Sequence, residues 1–330
     1  MKAVRYHEFG GPEVLKLQEA SRPAPGAHDL LIEAHACGLN PIDFKVRRGA
    51  LAKDRAQPII LGFDVSGVVR ELGEAVSNFH VGDEVYSAPS LVRNGANAEF
   101  VCVDARTAAH KPTTLDHVHA AALPLVTITA WEALYERAAL VQGEYVLIHA
   151  GAGGTGHVAV QFAALKGAHI AATVSSEAKA EFVRGLGVDR PILYRQEDFV
   201  DATLAWTSGR GLAIALDNIG AETLQRTFRA MAPYGRIVTL MGTPGDDAEG
   251  SAYNKNLTLH NLMMLTPMWL GLKDRLRRQA EIVEEAMAFL AAGELTLHID
   301  STFPLAEAHA AHRRLESGGM IGKIVLRIGD

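Results

Sequence analysis

The residues with the plainest chemical meaning lie in 145–167, YVLIHAGAGGTGHVAVQFAALKG. Gly151, Gly153 and Gly156 satisfy G-x-G-x-x-G, and Gly154 adds a fourth glycine. Each has a task in holding a dinucleotide: a tight turn, close approach of backbone to a pyrophosphate, and close packing of helix on strand. The spacing alone is weak, because glycine-rich turns are common. Here an apolar run, 145–148, precedes the turn and an amphipathic helix follows it. Thr155 and the residues after it open that helix, whose free N–H groups and positive dipole end face a phosphate.

The same reading asks which dinucleotide. The residue ending the second strand of such a unit reads the adenosine ribose: a carboxylate there accepts from the 2′-OH of NAD and repels the 2′-phosphate of NADP. The segment ends ATVSS, so Ser175 and Ser176 stand in that place. Lys179, one helical turn later, can neutralise the extra phosphate, and Tyr194 ends the neighbouring third strand. The combination favours NADPH, with Glu177 as the residue that argues for NADH. Asn218, in DNIG, and Met241 with Gly242 end later strands. Strand C-termini line the ligand crevice of an open α/β sheet.

The elements that must position these residues fall into two textures. Residues 1–121 read as short strands, such as 30–36, 64–72 and 98–103, separated by Gly-Pro, Pro-Gly and Gly-Asp turns. This is an antiparallel, barrel-like β domain. From residue 121 helix and strand alternate: helix 128–139, strand 145–150, helix 156–166, strand 169–174, helix 176–186, strands 192–194 and 213–218, helix 222–231 and strand 236–241. Such alternation implies right-handed crossovers and a doubly wound parallel sheet. Helix 273–292, strand 295–303, helix 306–316 and strand 323–327 close the chain. The fold class is α/β, with a dinucleotide domain (122–271) inserted into a discontinuous β domain (1–121 and 272–330).

With 330 residues, 48% of them hydrophobic, the chain can bury two cores. A net charge of −6 without a basic block argues against a nucleic-acid partner. Two cysteines, Cys37 and Cys102, exclude a disulfide framework or a cysteine-rich zinc lobe. Absence of a signal-peptide segment and of a long apolar run predicts a soluble, cytoplasmic protein with no membrane partner.

Several stretches together, MKAVRYHEFGGPEVL, CGLNPIDFKVRRG, LGFDVSGVV, VGDEVY, LPLVTITAWEAL, HAGAGGTG, ALDNIG and GKIVL, span the chain. In them the sequence resembles the zinc-independent medium-chain dehydrogenase/reductases of the quinone oxidoreductase (zeta-crystallin-like) branch. The resemblance implies a GroES-like catalytic domain, a Rossmann domain with NADPH in the cleft, and a homodimer or homotetramer. In the zinc-dependent branch a metal-binding cysteine would stand at Asn40 and a His-Glu pair at Phe63 and Asp64. Phenylalanine cannot ligate a metal and asparagine is a poor zinc ligand, so no metal site is expected. Cys37 reads as a buried small side chain, and His117, His119, His309 and His312 as helix-surface residues.

Within this resemblance Asn40 is similar to the polar residue that faces substrate and nicotinamide; the plainer alternative is a turn-forming asparagine before Pro41. Thr129 resembles a threonine near the nicotinamide end. Lys45 and Leu51 stand where quinone reductases tend to carry tyrosines, and Gly318 where some members contribute a phosphate-binding arginine. The run 262–272, LMMLTPMWLGL, reads as cleft wall, subunit interface or core. The implied reaction is hydride transfer from NADPH to a small-molecule quinone. The rival is reduction of the activated double bond of an enone. Asn40 or a cofactor hydroxyl steadies the resulting anion and water supplies the proton; Tyr86 and His35 are unsupported proton donors. A non-catalytic nucleotide- or RNA-binding protein is the third reading, which the acidic balance disfavours.

Overall fold

Apolar residues dominate 29–38, DLLIEAHACG, and they form a ten-residue strand, Asp29–Gly38, that organises the first half of the chain. Its long flank pairs antiparallel with Val65–Leu72, in a register that sets Ala36 opposite Ser66. Its other flank is shared by Phe100–Asp104 and, at the far end, by Lys323–Arg327, with Val325 opposite Gly38. Glu84–Ser87, Ala108–His110 and Ile299–Pro304 complete a seven-stranded sheet, antiparallel except where Ile299–Pro304 joins Lys323–Arg327. A three-stranded sheet of Lys16–Glu19, Lys2–Tyr6 and Ile59–Ile60 accompanies it.

Residues 1–51, 54–242 and 250–329 of the computed structural model are described here. The chain divides into two units: Met1–Leu125, Leu265–Ala292 and Leu297–Asp330 in the first, Val126–Met264 and Gly293–Thr296 in the second. The second holds a six-stranded sheet, all parallel, in the order Arg190–Leu193, His169–Val174, Tyr145–Ile148, Leu212–Asp217, Met231–Thr239, Thr258–Asn261. By chain order this is 3-2-1-4-5-6, the doubly wound Rossmann arrangement whose switch point lies between Tyr145–Ile148 and Leu212–Asp217. The fold is therefore α/β, as the alternating pattern predicts.

Some expected elements shift. The helix expected at 128–139 is an α-helix, Pro124–Trp131, continued by a π-helical turn, Glu132–Arg137. The strand expected at 295–303 runs instead as Ile299–Pro304. Helices Pro41–Arg47 and Phe199–Trp206 were not anticipated. The run 262–272 is split: Leu262, Met264 and Leu265 are buried, while Met263, Trp269, Leu270 and Leu272 are exposed.

Lys255 caps the helix Ala221–Ala230 by donating to the carbonyls of Phe228, Arg229 and Met231. In the first unit the strand ends converge so closely that Gly38 has no room for a side chain. A Cβ there would lie 2.3 Å from the Ala121 carbonyl oxygen and 3.2 Å from Asp64 Cβ. Gly38→Ala is therefore expected to destabilise the protein by about 1–3 kcal/mol, measured by urea unfolding; unchanged stability would contradict this packing.

Candidate active site

Three strand ends meet around a buried polar cluster in the first unit. Asn40 follows Asp29–Gly38, Asp64 precedes Val65–Leu72, and Lys323 opens Lys323–Arg327. The antiparallel register of Val325 on Gly38, carried two residues further, sets Lys323 opposite Asn40; the Leu39 amide donating to the Ile324 carbonyl continues it. The Lys323 ammonium donates to Asn40 Oδ1 at 2.5 Å and to Asp64 Oδ2 at 3.1 Å. Asn40 Nδ2 donates to Asp64 Oδ2 at 2.7 Å. Lys323 can only donate and a carboxylate only accepts, so these partners fix which end of the Asn40 amide is oxygen.

All of these groups are out of water: Asn40 and Lys323 are each 1% exposed and Asp64 not at all. The Leu125 amide donates to Asp64 Oδ1, while Asp43 accepts from the amides of Asn40 and Gly62. Burial pushes the Asp64 carboxyl up, and Lys323 and Asn40 pull it back. Asp43 is pushed up to about 7, chiefly by burial. The Lys323 ammonium pairs with the Asp64 carboxylate. Leaving either charge alone in such a place costs about 3–5 kcal/mol.

A second group sits at the C-terminal edge of the parallel sheet. Ala150, just after Tyr145–Ile148, has a positive φ of 53°, which a non-glycine residue adopts at a cost of about 1–2 kcal/mol. Its amide is held by Thr173 Oγ1 at 3.0 Å, and Gly151 donates to the Thr173 carbonyl. Gly151 and Gly156 are required by space: a Cβ would lie 2.6 Å from Ala172 Cβ in the first case and 2.1 Å from the Ala150 oxygen in the second. Helix Gly154–Leu165 starts with Gly153 as its cap. The first-turn amides of Gly154, Thr155 and Gly156 have no carbonyl one turn back and point outward at the helix start.

Buried His149 ties this loop to its neighbours. Thr227 Oγ1 donates to the Thr223 carbonyl and so accepts from His149 Nε2 at 2.9 Å, leaving Nδ1 to accept from Thr173 Oγ1 at 3.3 Å. Burial pushes the imidazole down to about 4, so it is neutral. Across the switch point Asn218 Nδ2 donates to the His149 carbonyl at 2.7 Å. Its Oδ1 is buried without a partner. A buried acceptor at this edge is what a ribose hydroxyl or a carboxamide N–H satisfies, so the residues present fit a dinucleotide. Asp217 accepts from the Ile219 and Gly220 amides and from Thr239 Oγ1, which in turn accepts from the Met241 amide.

The other expected residues are placed as follows. Ser176 caps helix Glu177–Gly185, its hydroxyl accepting from the Lys179 amide at 3.4 Å, and Ser175 and Lys179 are half-buried. The Tyr194 amide donates to the Val174 carbonyl, which brings the exposed Tyr194 side by side with Ser175. Arg195, which the sequence reading passed over, lies 6.0 Å from the Tyr194 ring centroid. Thr129 is buried in helix Pro124–Trp131; Met241 and Gly242 are exposed. Residues 243–249, which follow Gly242, lie outside the described residues.

Two expectations need correction. His312 is not on a helix surface: it is fully buried, taking a hydrogen bond from Arg47, and burial pushes it down to about 3. His117 is half-buried, its Nδ1 on Ser66 Oγ at 2.8 Å and its ring tilted against that of His35, with the centroids 4.5 Å apart. Ser66 donates to the Val85 carbonyl, which ties that hydroxyl down. Tyr86 is buried with its hydroxyl unpartnered, and burial raises its pKa far above that of a usable acid. Lys323 and Asp43 were missed. The available signal was a single lysine opening the otherwise apolar strand KIVLR.

Residues 26–113 match the alcohol dehydrogenase GroES-like domain family, and residues 186–326 match the family described as zinc-binding dehydrogenase. The chain is 30% identical over 328 residues to quinone oxidoreductase of Rattus norvegicus, covering 99% of this chain and 97% of the rat protein. It is 32% identical over 328 residues to 2-haloacrylate reductase of a Burkholderia species, covering 97% of each. A crystal structure of Escherichia coli quinone oxidoreductase complexed with NADPH aligns with a TM-score of 0.90 at 28% identity, covering 99% of this chain and 100% of that one.

The His149 network carries a pH signature. The native imidazole titrates below its unfolded value near 6.5, so the native state binds fewer protons in between. Its stabilisation is complete above that value and is lost as pH falls toward about 4. His149→Leu is expected to be less stable than the unaltered protein at pH 8. That deficit should shrink by up to about 3 kcal/mol by pH 4, read from urea unfolding across pH. A deficit independent of pH would contradict the assignment.

Proposed function

Because the chain belongs to the quinone oxidoreductase branch of the medium-chain dehydrogenase/reductase family, we propose that it uses NADPH, works without zinc and reduces a quinone. Membership makes it an oxidoreductase with a nicotinamide cofactor and a small-molecule substrate. The observation that carries the choice of NADPH is the end of the second strand. No carboxylate stands there; Ser175 and Ser176 do, with Lys179 one turn on and Tyr194 alongside. Bound NADPH supplies a hydride and leaves as NADP⁺, while the acceptor takes one proton from solvent.

In this reading Gly151, Gly153, Gly154, Thr155 and Gly156 hold the pyrophosphate, and Lys179 and Tyr194 the 2′-phosphate. Thr129, Asn218, Met241 and Gly242 orient the nicotinamide half. Asn40 is the catalytic donor. One Nδ2 hydrogen is committed to Asp64, while the other has only the Gly38 carbonyl at a long 3.4 Å and serves the oxygen on which negative charge develops. Zinc independence is supported by Lys323, whose ammonium already supplies a cation between Asn40 and Asp64. The reading also takes the protein as a cytoplasmic homodimer or homotetramer, with a GroES-like domain of 1–121 and 272–330 around a Rossmann domain of 122–271.

One observation favours a second reading. Lys45 is half-buried and Leu51 exposed where tyrosines were expected, and a relative reduces 2-haloacrylate, an activated alkene. NADPH oxidation in EDTA separates the two. Rapid turnover with 1,4-benzoquinone is expected; turnover confined to α,β-unsaturated ketones or acids would install the second reading. Lys179→Ala is expected to raise KM for NADPH about 10–100-fold and to leave KM for NADH nearly unchanged. Equal effects on both would remove Lys179 from the phosphate site.

A further inference from the structure

We propose that Lys323 is a positioning residue of the reaction: by donating to Asn40 Oδ1 it decides which end of the Asn40 amide is presented to the reacting oxygen. The inference rests on the role given to Asn40 above. The oxygen and nitrogen of an asparagine amide are nearly the same size, so packing alone does not choose between its two orientations. Charge does. An ammonium 2.5 Å from one end and a carboxylate 2.7 Å from the other leave a single arrangement without a clash of donors or of acceptors.

Three further observations support this assignment. The pairing of Lys323–Arg327 with Asp29–Gly38, continued by the Leu39 amide on the Ile324 carbonyl, brings Lys323 to Asn40 at the end of the sheet. Gly322, with φ of 72° and no space for a Cβ beside the His298 carbonyl, turns the chain into that strand, and the Lys323 amide then donates to the same carbonyl. The ammonium also draws electron density toward Oδ1, which makes the remaining Nδ2–H a stronger donor to an oxygen acquiring charge. The buried Cys37 thiol donates to Asn97 Oδ1 at 3.1 Å.

A merely structural lysine would neutralise Asp64 and nothing more, and the test exploits that difference. Lys323→Met strands a buried carboxylate and is expected to lower both Tm and kcat. In the double variant Lys323→Met with Asp64→Asn the charge is balanced and Tm should recover, but the Asn40 amide faces only a neutral amide at position 64, which both donates and accepts and so no longer dictates its orientation. There kcat is expected to stay about 10–100-fold down, with Kd for NADPH, from fluorescence quenching, within about 2-fold of the unaltered protein. Recovery of kcat together with Tm would overturn the inference. Asn40→Ala separates it from the reading beneath: full activity there would remove Asn40 itself from the reaction. Loss of rate in Asn40→Ala with recovery in the double variant would remove Lys323 alone.

Discussion

An ammonium held away from water must be matched by charge and hydrogen bonds where it sits, and Lys323 meets that requirement with Asp64 and Asn40. The consequence is topological. The three residues come from parts of the chain separated by up to 283 positions, and a second unit is inserted between them. The first unit therefore completes its polar centre only when its last strand pairs with Asp29–Gly38. Gly38 is bare because the strands converge there, and Asp43 is pushed up to about 7 chiefly because it is buried.

The second unit solves a related problem at the edge of its parallel sheet. The loops at that edge are tied together by a buried polar chain through Thr227, His149, Thr173 and Asn218. Asp217 does the same for the turns after the fourth and fifth strands. A positive φ at Ala150 is tolerated because its amide is bonded on the spot. Nearly every polar atom of the network is satisfied, and the exception, Asn218 Oδ1, lies at the switch point. Order in the loops thus comes from the protein's own hydrogen bonds, and Asn218 Oδ1 is the acceptor of the network left without a protein partner.

Much of this was legible in the sequence. The glycine turn, the alternation of helix and strand, and strands His169–Val174 and Lys323–Arg327 follow from local patterns, which is why they were found. Helix Pro41–Arg47 was masked because Asn-Pro reads as a turn; a proline at the first helical position after an asparagine cap gives the same letters. Met231–Thr239 starts earlier than expected because the turn signals of Pro233, Tyr234 and Gly235 are absorbed as an irregularity in the pairing with Leu212–Asp217. The Lys323 contact was invisible for a different reason. No local periodicity reports a pairing across most of the chain, and a lysine at a strand start looks like an ordinary solvated end.

Lys323 sets an ammonium between the Asn40 amide and the Asp64 carboxylate at this corner of the first unit. In the proposed reaction, hydride transfer needs orientation and a donor for the developing anion, and Asn40 is assigned the donor role. The most direct measurement is an anomalous difference map at the zinc edge, from crystals grown with zinc and NADPH present. The account predicts Lys323 density bridging Asn40 and Asp64 with no anomalous peak there. A zinc peak coordinated by Asn40 and Asp64, with Lys323 displaced, would contradict it.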